Sequence, residues 1–346
     1  MSPSRFRRKF TLGFITEWRK LSLPTDGGRI VLAVSGGADS CALACVVAEM
    51  TERKKLRNSV VLAHFDHGLR GKESLADAAF VKELASELGF EFVLGTAPEE
   101  VMSGKSNLEE KAREARYQFL GLAAENAGAS HVLTAHTLND QAETFLLNLV
   151  RGSGLTGLAG MPAVRPLGDG GRESDLKIVR PFLNWAYRSE TVRYTREWGV
   201  EARIDAMNND LSFARVKVRK ELVPLLEEFN PNIIATLAAT ADGIARELDA
   251  IRVVPGEVST AAAMAESESL RIANLKELSA GSRTLAVRGW LKNRRGSLRG
   301  IGRVHVKSVI SLALSKKSGK GVELPGRGKV VRASGRLRFE KGEVEK

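Results

Sequence analysis

Ser35-Gly36-Gly37-Ala38-Asp39-Ser40 stands between two apolar runs, Ile30 to Val34 before it and Cys41 to Val47 after it. That order predicts a strand, a tight loop and a helix. Paired glycines let backbone approach a ligand closely and adopt dihedrals closed to other residues. Unpaired N–H groups at a helix start, with the positive end of the helix dipole, form a seat for an anion. Two serine hydroxyls add donors. Asp39 is the unusual member, because a carboxylate repels phosphate unless a cation lies between them, and a hard oxygen ligand beside phosphates points to Mg²⁺. No Gly-Lys-Ser/Thr follows, so this is not a Walker A loop. The loop reads as a pyrophosphate seat of an ATP-consuming enzyme. A plain glycine turn with a serine or aspartate cap is the bland alternative.

Short apolar runs at Ile30–Val34, Val60–Phe65, Phe90–Leu94 and His131–Ala135 alternate with helical patterns at Asp39–Leu56, Ser74–Leu88 and Leu108–Asn126. A last α/β element follows, with Lys177–Phe182 as strand and Trp185–Trp198 as helix. Such alternation predicts an α/β fold with a doubly wound, mostly parallel sheet, in which ligands bind at the carboxyl ends of the strands. Polar clusters mark three of those ends. The second strand runs into His64-Phe65-Asp66-His67-Gly68-Leu69-Arg70. Metal binding is weakly supported there, a strand cap is the plain reading, and nucleotide contacts from His64 and Arg70 fit the topology best. The fourth strand runs into His136-Thr137-Leu138-Asn139-Asp140-Gln141-Ala142-Glu143. Asp140 and Glu143, three apart at a helix start, share a face and either cap the helix or grip a cation, metal or amine. His136 is placed to orient a substrate or carry a proton. Between these clusters, Lys111, Arg113 and Arg116 alternate with Glu109, Glu110 and Glu114, the pattern of a salt-bridged exposed helix face. The glycines from Arg151 to Gly160 suggest a flexible lid or substrate-contacting turn.

The 346 residues carry a net charge of +12, and its location is informative. From Arg283 to Lys346 there are 18 Lys or Arg against 4 Asp or Glu, whereas the rest of the chain has 35 against 37. A basic block on a near-neutral body predicts a polyanionic partner, most simply nucleic acid, with Arg294, Arg295 and Arg299 prominent in it. Composition changes near Asp210. We therefore expect a catalytic domain over residues 1–210 and a smaller, mainly helical basic region over 211–346, with a joint at Pro255-Gly256 and the acidic stretch to Ser269, and a small β element from Gly321 to Phe339. The only cysteines, Cys41 and Cys45, lie on one predicted helix and fit a reducing compartment. No uninterrupted apolar run reaches membrane-spanning length. Met1 to Lys20 lacks the apolar segment of a signal peptide and reads as an amphipathic helix with Phe6, Phe10, Phe14 and Trp18 on one face, so a cytoplasmic location is expected.

Together these motifs resemble one family. Ser35–Ser40 resembles the Ser-Gly-Gly-x-Asp-Ser loop of the PP-loop, N-type ATP pyrophosphatases. His64–Arg70 with Glu73-Ser74, Asp77-Ala78 and Phe80-Val81, then Ala112-Arg113 with Arg116-Tyr117, then Asp140–Thr144 running into Arg151-Gly152-Ser153-Gly154, resemble the tRNA(Ile)-lysidine synthases. The resemblance covers roughly residues 28–232, and the chain resembles the shorter form of that family. It implies that ATP, with Mg²⁺ on Asp39, adenylates C2 of the wobble cytidine of a tRNA(Ile) with a CAU anticodon. Free L-lysine then displaces AMP, and the codon read changes from AUG to AUA. By the same resemblance, Ser35, Gly36, Gly37, Ala38, Asp39, Ser40, His64 and Arg70 hold the nucleotide. Asp140 and Glu143 bind and orient the lysine amine, Glu143 being the better proton acceptor. His136, Arg113 and Arg70 stabilise phosphate or adenylate charge. A homodimer is a possible assembly.

Two positions depart from the pattern. Asn139 stands where the family often has a carboxylate, and Val216 where many members have Asn, which bears on Arg215 and Arg219. Three rivals remain on the residues alone. A tRNA thiolase with the same loop would need catalytic or cluster-binding cysteines, which Cys41 and Cys45 are poorly spaced to supply. An amidotransferase synthetase would need a glutaminase region, and none is visible. A non-catalytic RNA-binding protein would not need polar clusters at three strand ends.

Overall fold

The computed structural model describes residues 4–68, 72–97, 108–167, 175–203, 213–252, 255–296, 298, 300–315, 320–325 and 328–341. Two compact units divide the chain, Met1–Ala241 and Asp242–Lys346. The first contains α1 (Arg5–Lys20), β1 (Asp26–Ala33), α2 (Ala38–Glu52), β2 (Arg57–Asp66), α3 (Lys72–Glu87), β3 (Glu91–Thr96), α4 (Leu108–Ala127), β4 (Ala129–Leu133), α5 (Leu138–Val150), α6 (Leu155–Leu158), β5 (Val164–Pro166), β6 (Lys177–Val179) and α7 (Arg188–Trp198). The strands form one sheet in the order β3-β2-β1-β4-β6-β5. All adjacent pairs are parallel except β5 on β6, which is antiparallel. This is the α/β doubly wound sheet that the alternating runs predict.

Strand order reverses at β1, which has β2 on one side and β4 on the other. A crevice therefore opens beyond the carboxyl ends of β1 and β4. The glycine loop follows β1, and His136 follows β4, so both motifs lie on that crevice for topological reasons. The apolar runs are buried on both sheet faces. Ile30, Leu32 and Leu62 face one core, and Val31, Val61 and Val132 the other. Burying each such side chain stabilises the fold by about 1.5–3 kcal/mol.

α1 starts at Ser4, whose Oγ accepts the Arg7 N–H at 3.0 Å. The aromatic stripe is real: Phe10, Phe14 and Trp18 are buried, with Phe10 stacked on Tyr194 at 4.6 Å between ring centroids. Buried Glu49 ties three helices together. It accepts from Arg7 Nε and from Tyr194 Oη, each at 2.7 Å.

Beyond α7 come α8 (Ala214–Lys217), a π-helical turn (Val218–Leu222), α9 (Val223–Phe229) and α10 (Ile233–Arg252). Pro224 lacks the N–H that would close an α-turn, and the ladder widens just before it, Val223 N–H reaching back to Val218 O. Val218, Val223, Ile234 and Ala238 are buried against Leu138, Ala142 and Leu146 of α5. That packing keeps the segment from Phe213 in the first unit, so the compact units divide some thirty residues after the composition change at 210.

The second unit holds α11 (Pro255–Glu266), β7 (Ser269–Arg271), α12 (Ile272–Glu277), α13 (Ala280–Arg295), α14 (Arg303–Leu314), β8 (Gly321–Leu324), β9 (Gly328–Ala333) and β10 (Arg336–Lys341). The strands make a four-stranded sheet, β7-β10-β9-β8, antiparallel throughout. Trp290, Leu291, Val309, Val330 and Leu337 form its core. Pro255-Gly256 is not a joint, as the sequence suggested, but the first turn of α11. Proline is favoured there because its missing N–H has no intrahelical role.

Candidate active site

Gly36 has φ +89°, a left-handed conformation that favours glycine, and the side chains of Phe80, Val81 and Arg203 approach where a Cβ would stand. Its carbonyl accepts the Arg203 N–H at 2.9 Å, while Arg203 Nε donates to Asp77 at 2.8 Å. Ser40 Oγ donates to Gly37 O at 2.8 Å and lies 3.2 Å from Ser35 N and Ser35 Oγ. The loop is thus closed on itself by its two serines. Ala38 opens α2, and its carbonyl accepts from Thr195 Oγ1 at 2.9 Å. His64 is buried with Nδ1 2.8 Å from Val34 O, so it braces the strand end leading into the loop. Arg70 lies outside the described residues.

Asp39 points from the first turn of α2 to α7. Its carboxylate accepts from Thr191 Oγ1, and Arg188 Nε lies 3.4 Å from Oδ2. The same guanidinium donates from Nη2 to Asp140 Oδ1 and from Nη1 to Glu143 Oε1, each at 2.8 Å. One arginine side chain therefore joins the three carboxylates that the sequence singled out at two different strand ends. Two more arginines close the cage. Arg215 donates to Glu143 at 2.9 Å and to Asp140 at 3.2 Å, and Arg219 donates to Glu143 from Nε at 2.8 Å and Nη2 at 3.1 Å. Val216, at the departing position, is buried, and the arginines on either side of it still reach the site.

Asp140 caps its helix, and its other oxygen meets side chains of the protein itself. Oδ2 accepts from Thr137 N–H and Thr137 Oγ1, each at 2.8 Å, which caps α5, while Oδ1 faces the arginines. Asn139 Oδ1 accepts the Arg188 N–H at 2.9 Å and so fixes the start of α7 without adding a fourth carboxylate. Burial raises the Asp39 pKa, only partly offset by Thr191 and Arg188. Burial also works against Asp140, but Arg188 and Arg215 pull it down to about 2. Glu143 is lowered as well, its burial outweighed by Arg219 and Arg188. Arg188 is held protonated, its own burial overcome by Asp140, Glu143 and Asp39.

His136 adjoins the cage. Burial holds its pKa down to about 3, against the pull of Asp140. It is a neutral imidazole near pH 7, with Nδ1 2.9 Å from Thr134 Oγ1. Arg113 belongs to a separate group. It and Arg116 turn to the ring of Tyr117, each 5.4 Å from its centroid, and among the described residues neither pairs with a carboxylate. The salt-bridged face expected for α4 is not what these two residues form. The glycine-rich turn is pinned rather than free: Gln141 donates to Met161 O at 3.0 Å and accepts the Met161 N–H at 2.8 Å. Gly160, at φ +68°, is so close to Gln141 that a Cβ would overlap the carboxamide.

Sequence reading missed Arg188 and Thr191. Their signal was topological, because α7 follows β6, the neighbour of β4, and its start must reach the same crevice. Among the described residues no cluster of three or more His, Cys, Asp or Glu is arranged around a metal position. Asp39 alone beside a phosphate seat is nonetheless a donor of the kind that shares Mg²⁺ with substrate phosphates.

The chain matches two family models, a PP-loop domain over residues 11–226 and a TilS substrate binding domain over residues 270–338. Proteins called tRNA(Ile)-lysidine synthase are among its relatives. That of Symbiobacterium thermophilum is 44% identical over 64% of this chain and 44% of its own length. Those of Solibacter usitatus and Geobacter sulfurreducens are 38% and 35% identical over 87% and 90% of this chain, and 65% of their own lengths. The chain thus spans 44–65% of these relatives. Among solved structures, the U34-tRNA thiolase NcsA from Methanococcus maripaludis with its [4Fe-4S] cluster superposes with a TM-score of 0.56 at 16% identity, over 69% of this chain and 79% of that one. At that identity the likeness concerns the fold. Cys41 and Cys45 of this chain are buried in α2, and burial pushes the Cys41 thiol up to about 12.

Proposed function

The chain belongs to the PP-loop family, and from that premise we propose that it is a tRNA(Ile)-lysidine synthase, joining free L-lysine to C2 of the wobble cytidine of a CAU-anticodon tRNA(Ile) with ATP. The observation that carries this reading is the convergence of Asp39, Asp140 and Glu143 on one guanidinium at the edge of the glycine loop. A place that holds a side-chain cation among carboxylates, next to a phosphate seat, suits an amine that arrives as an ammonium and must lose a proton before it attacks an adenylated carbon.

The backbone N–H groups at the start of α2 hold pyrophosphate. Asp39 would hold Mg²⁺, which supplies charge neutralisation during attack on the α-phosphate. An amide-like oxygen leaves poorly, and bonding it to AMP turns it into a good leaving group. Asp140 and Glu143 then take the ammonium of lysine in place of Arg188. With all three arginines seated, Glu143 is a weak base; withdrawal of Arg188 removes one of the cations that lower it, while Arg219 and Arg215 remain, and Glu143 accepts the proton that the attacking amine loses. Neutral His136 donates to an oxyanion without competing for the lysine site. The basic surface of the second unit supplies contacts to the tRNA backbone.

The buried cysteines support this reading over sulfur transfer. The test is AMP release with substrates added singly and together. Release should require tRNA and lysine at once. ATP consumption that needs a sulfur donor but no lysine would reject the proposal.

A further inference from the structure

Tyr117 on α4 is surrounded by arginines from three elements. Arg113 and Arg116 come from α4 itself, Arg165 from β5 has its guanidinium 4.8 Å from the ring centroid, and Arg180 follows directly on β6. Arg180 is 2% exposed. Its Nη1 donates to Pro162 O at 2.7 Å, but its Nε is buried without a partner. Among the described residues no carboxylate pairs with Arg113, Arg116, Arg165 or Arg180, in contrast to the cage around Arg188, where every arginine faces an acid. Four guanidiniums with no counter-ion among the described residues, one of them buried, are costly to assemble. Such a group is maintained where an external anion completes it, and arginine forks match the oxygens of phosphate.

We propose that Arg116, Arg165 and Arg180, gathered around Tyr117, form a phosphate-binding site distinct from the glycine loop. Tyr117 is the centre about which the guanidiniums are arranged, Arg116 and Arg165 near its ring and Arg165 and Arg180 hydrogen-bonded to it, and Arg180 is the buried base of the site. Arg113, at the open side, would share the bound phosphate with His136, whose surroundings include both Arg116 and Arg180. The substrates of the proposed reaction offer two sources of this group, an ATP phosphate and a phosphodiester of the RNA. Only the choice between these sources rests on the function proposed above; the site itself does not.

Tyr117 provides a direct probe. Burial alone would raise its pKa, but Arg116, Arg113 and Arg180, with a hydrogen bond from Arg165, bring it down to about 8. The other two tyrosines, Tyr187 and Tyr194, are raised. At pH 8.5 the phenolate absorbance of the folded protein therefore belongs to Tyr117. Adding inorganic phosphate should neutralise the guanidinium field and return the phenol to its protonated form, so the absorbance falls with saturation. Y117F should remove the signal. R165Q and R116Q, on less buried arginines, should each weaken the phosphate response by about tenfold, so the test does not depend on R180Q folding.

The source is then read on the full chain with a non-hydrolysable ATP analogue and with tRNA(Ile) over a salt series. If the phosphodiester fills the site, R116Q/R165Q should lower the slope of log affinity against log salt by about one and leave analogue binding unchanged. If ATP fills it, the reverse is expected. No phosphate response in the wild type, or unchanged analogue and RNA affinities in the double variant, would overturn the proposal. A wild type that responds to phosphate yet fails to bind tRNA(Ile) would instead reject the function while leaving the site in place.

Discussion

At the scale of single residues, the account depends on Arg188 and on the protonation of its neighbours. Replacing Arg188 with Met leaves three carboxylates close together with less positive charge among them. The cost at pH 7 should be roughly 1–3 kcal/mol, discounted for partial exposure, and should shrink towards pH 4 as the carboxylates protonate. Denaturant titrations at the two pH values check this. His136 gives a second pH effect. Its folded pKa of about 3 lies below the unfolded value near 6.5, so the unfolded chain binds the extra proton first. Its contribution is complete above about pH 6.5 and is lost as pH falls towards 3. H136N should flatten the fall in Tm between pH 7 and 5 relative to the wild type. E143Q should slow lysine transfer about a hundredfold or more, the size of a general base, while pyrophosphate release without lysine persists. Loss of both steps would mean Glu143 acts elsewhere. Asp39, Asp140, Glu143 and His136 were legible in the sequence because each follows a strand and breaks an apolar run. What they touch was not legible, since their partners Arg188 and Thr191 are some fifty to one hundred and fifty residues away.

At the scale of elements, α7 sets the site. Its start is held by Asn139, and its first turns carry Arg188 and Thr191 to Asp140, Glu143 and Asp39. N139A should raise the KM for lysine several-fold, and N139D, which keeps the acceptor, should restore it. Equal effects of the two would show that the bond to the helix start is not what matters at that position. The strands and the first helices could be read within a few residues, because apolar period and glycine or proline breaks are local signals. The π-helical turn before Pro224 could not, since it is a compromise between a missing donor and the reach of Arg219 to Glu143. The arginine gathering at Tyr117 also escaped a local reading. On α4 alone, Arg113 and Arg116 look like partners of nearby glutamates, and only Arg165 and Arg180 from distant strands reveal a different use.

At the scale of the whole molecule, the proposed function gives the basic second unit the tRNA backbone as its partner. Arg294 has its Nε buried, Arg295 donates to Pro325 O at 2.6 Å, and Arg299 lies outside the described residues, so the three arginines prominent in the sequence are poor probes. Lys292, Lys307 and Arg338 are exposed on the second unit. Replacing all three with Gln should weaken tRNA binding and lower its salt slope by about two to three. Unchanged affinity across the salt series would remove RNA binding from this surface. The central claim joins both units to one reaction, and the most direct measurement supplies labelled lysine, ATP and tRNA(Ile), digests the RNA and separates its nucleosides. One modified cytidine should carry the label, with AMP released in equal amount. Labelled RNA absent while ATP is still consumed would contradict it.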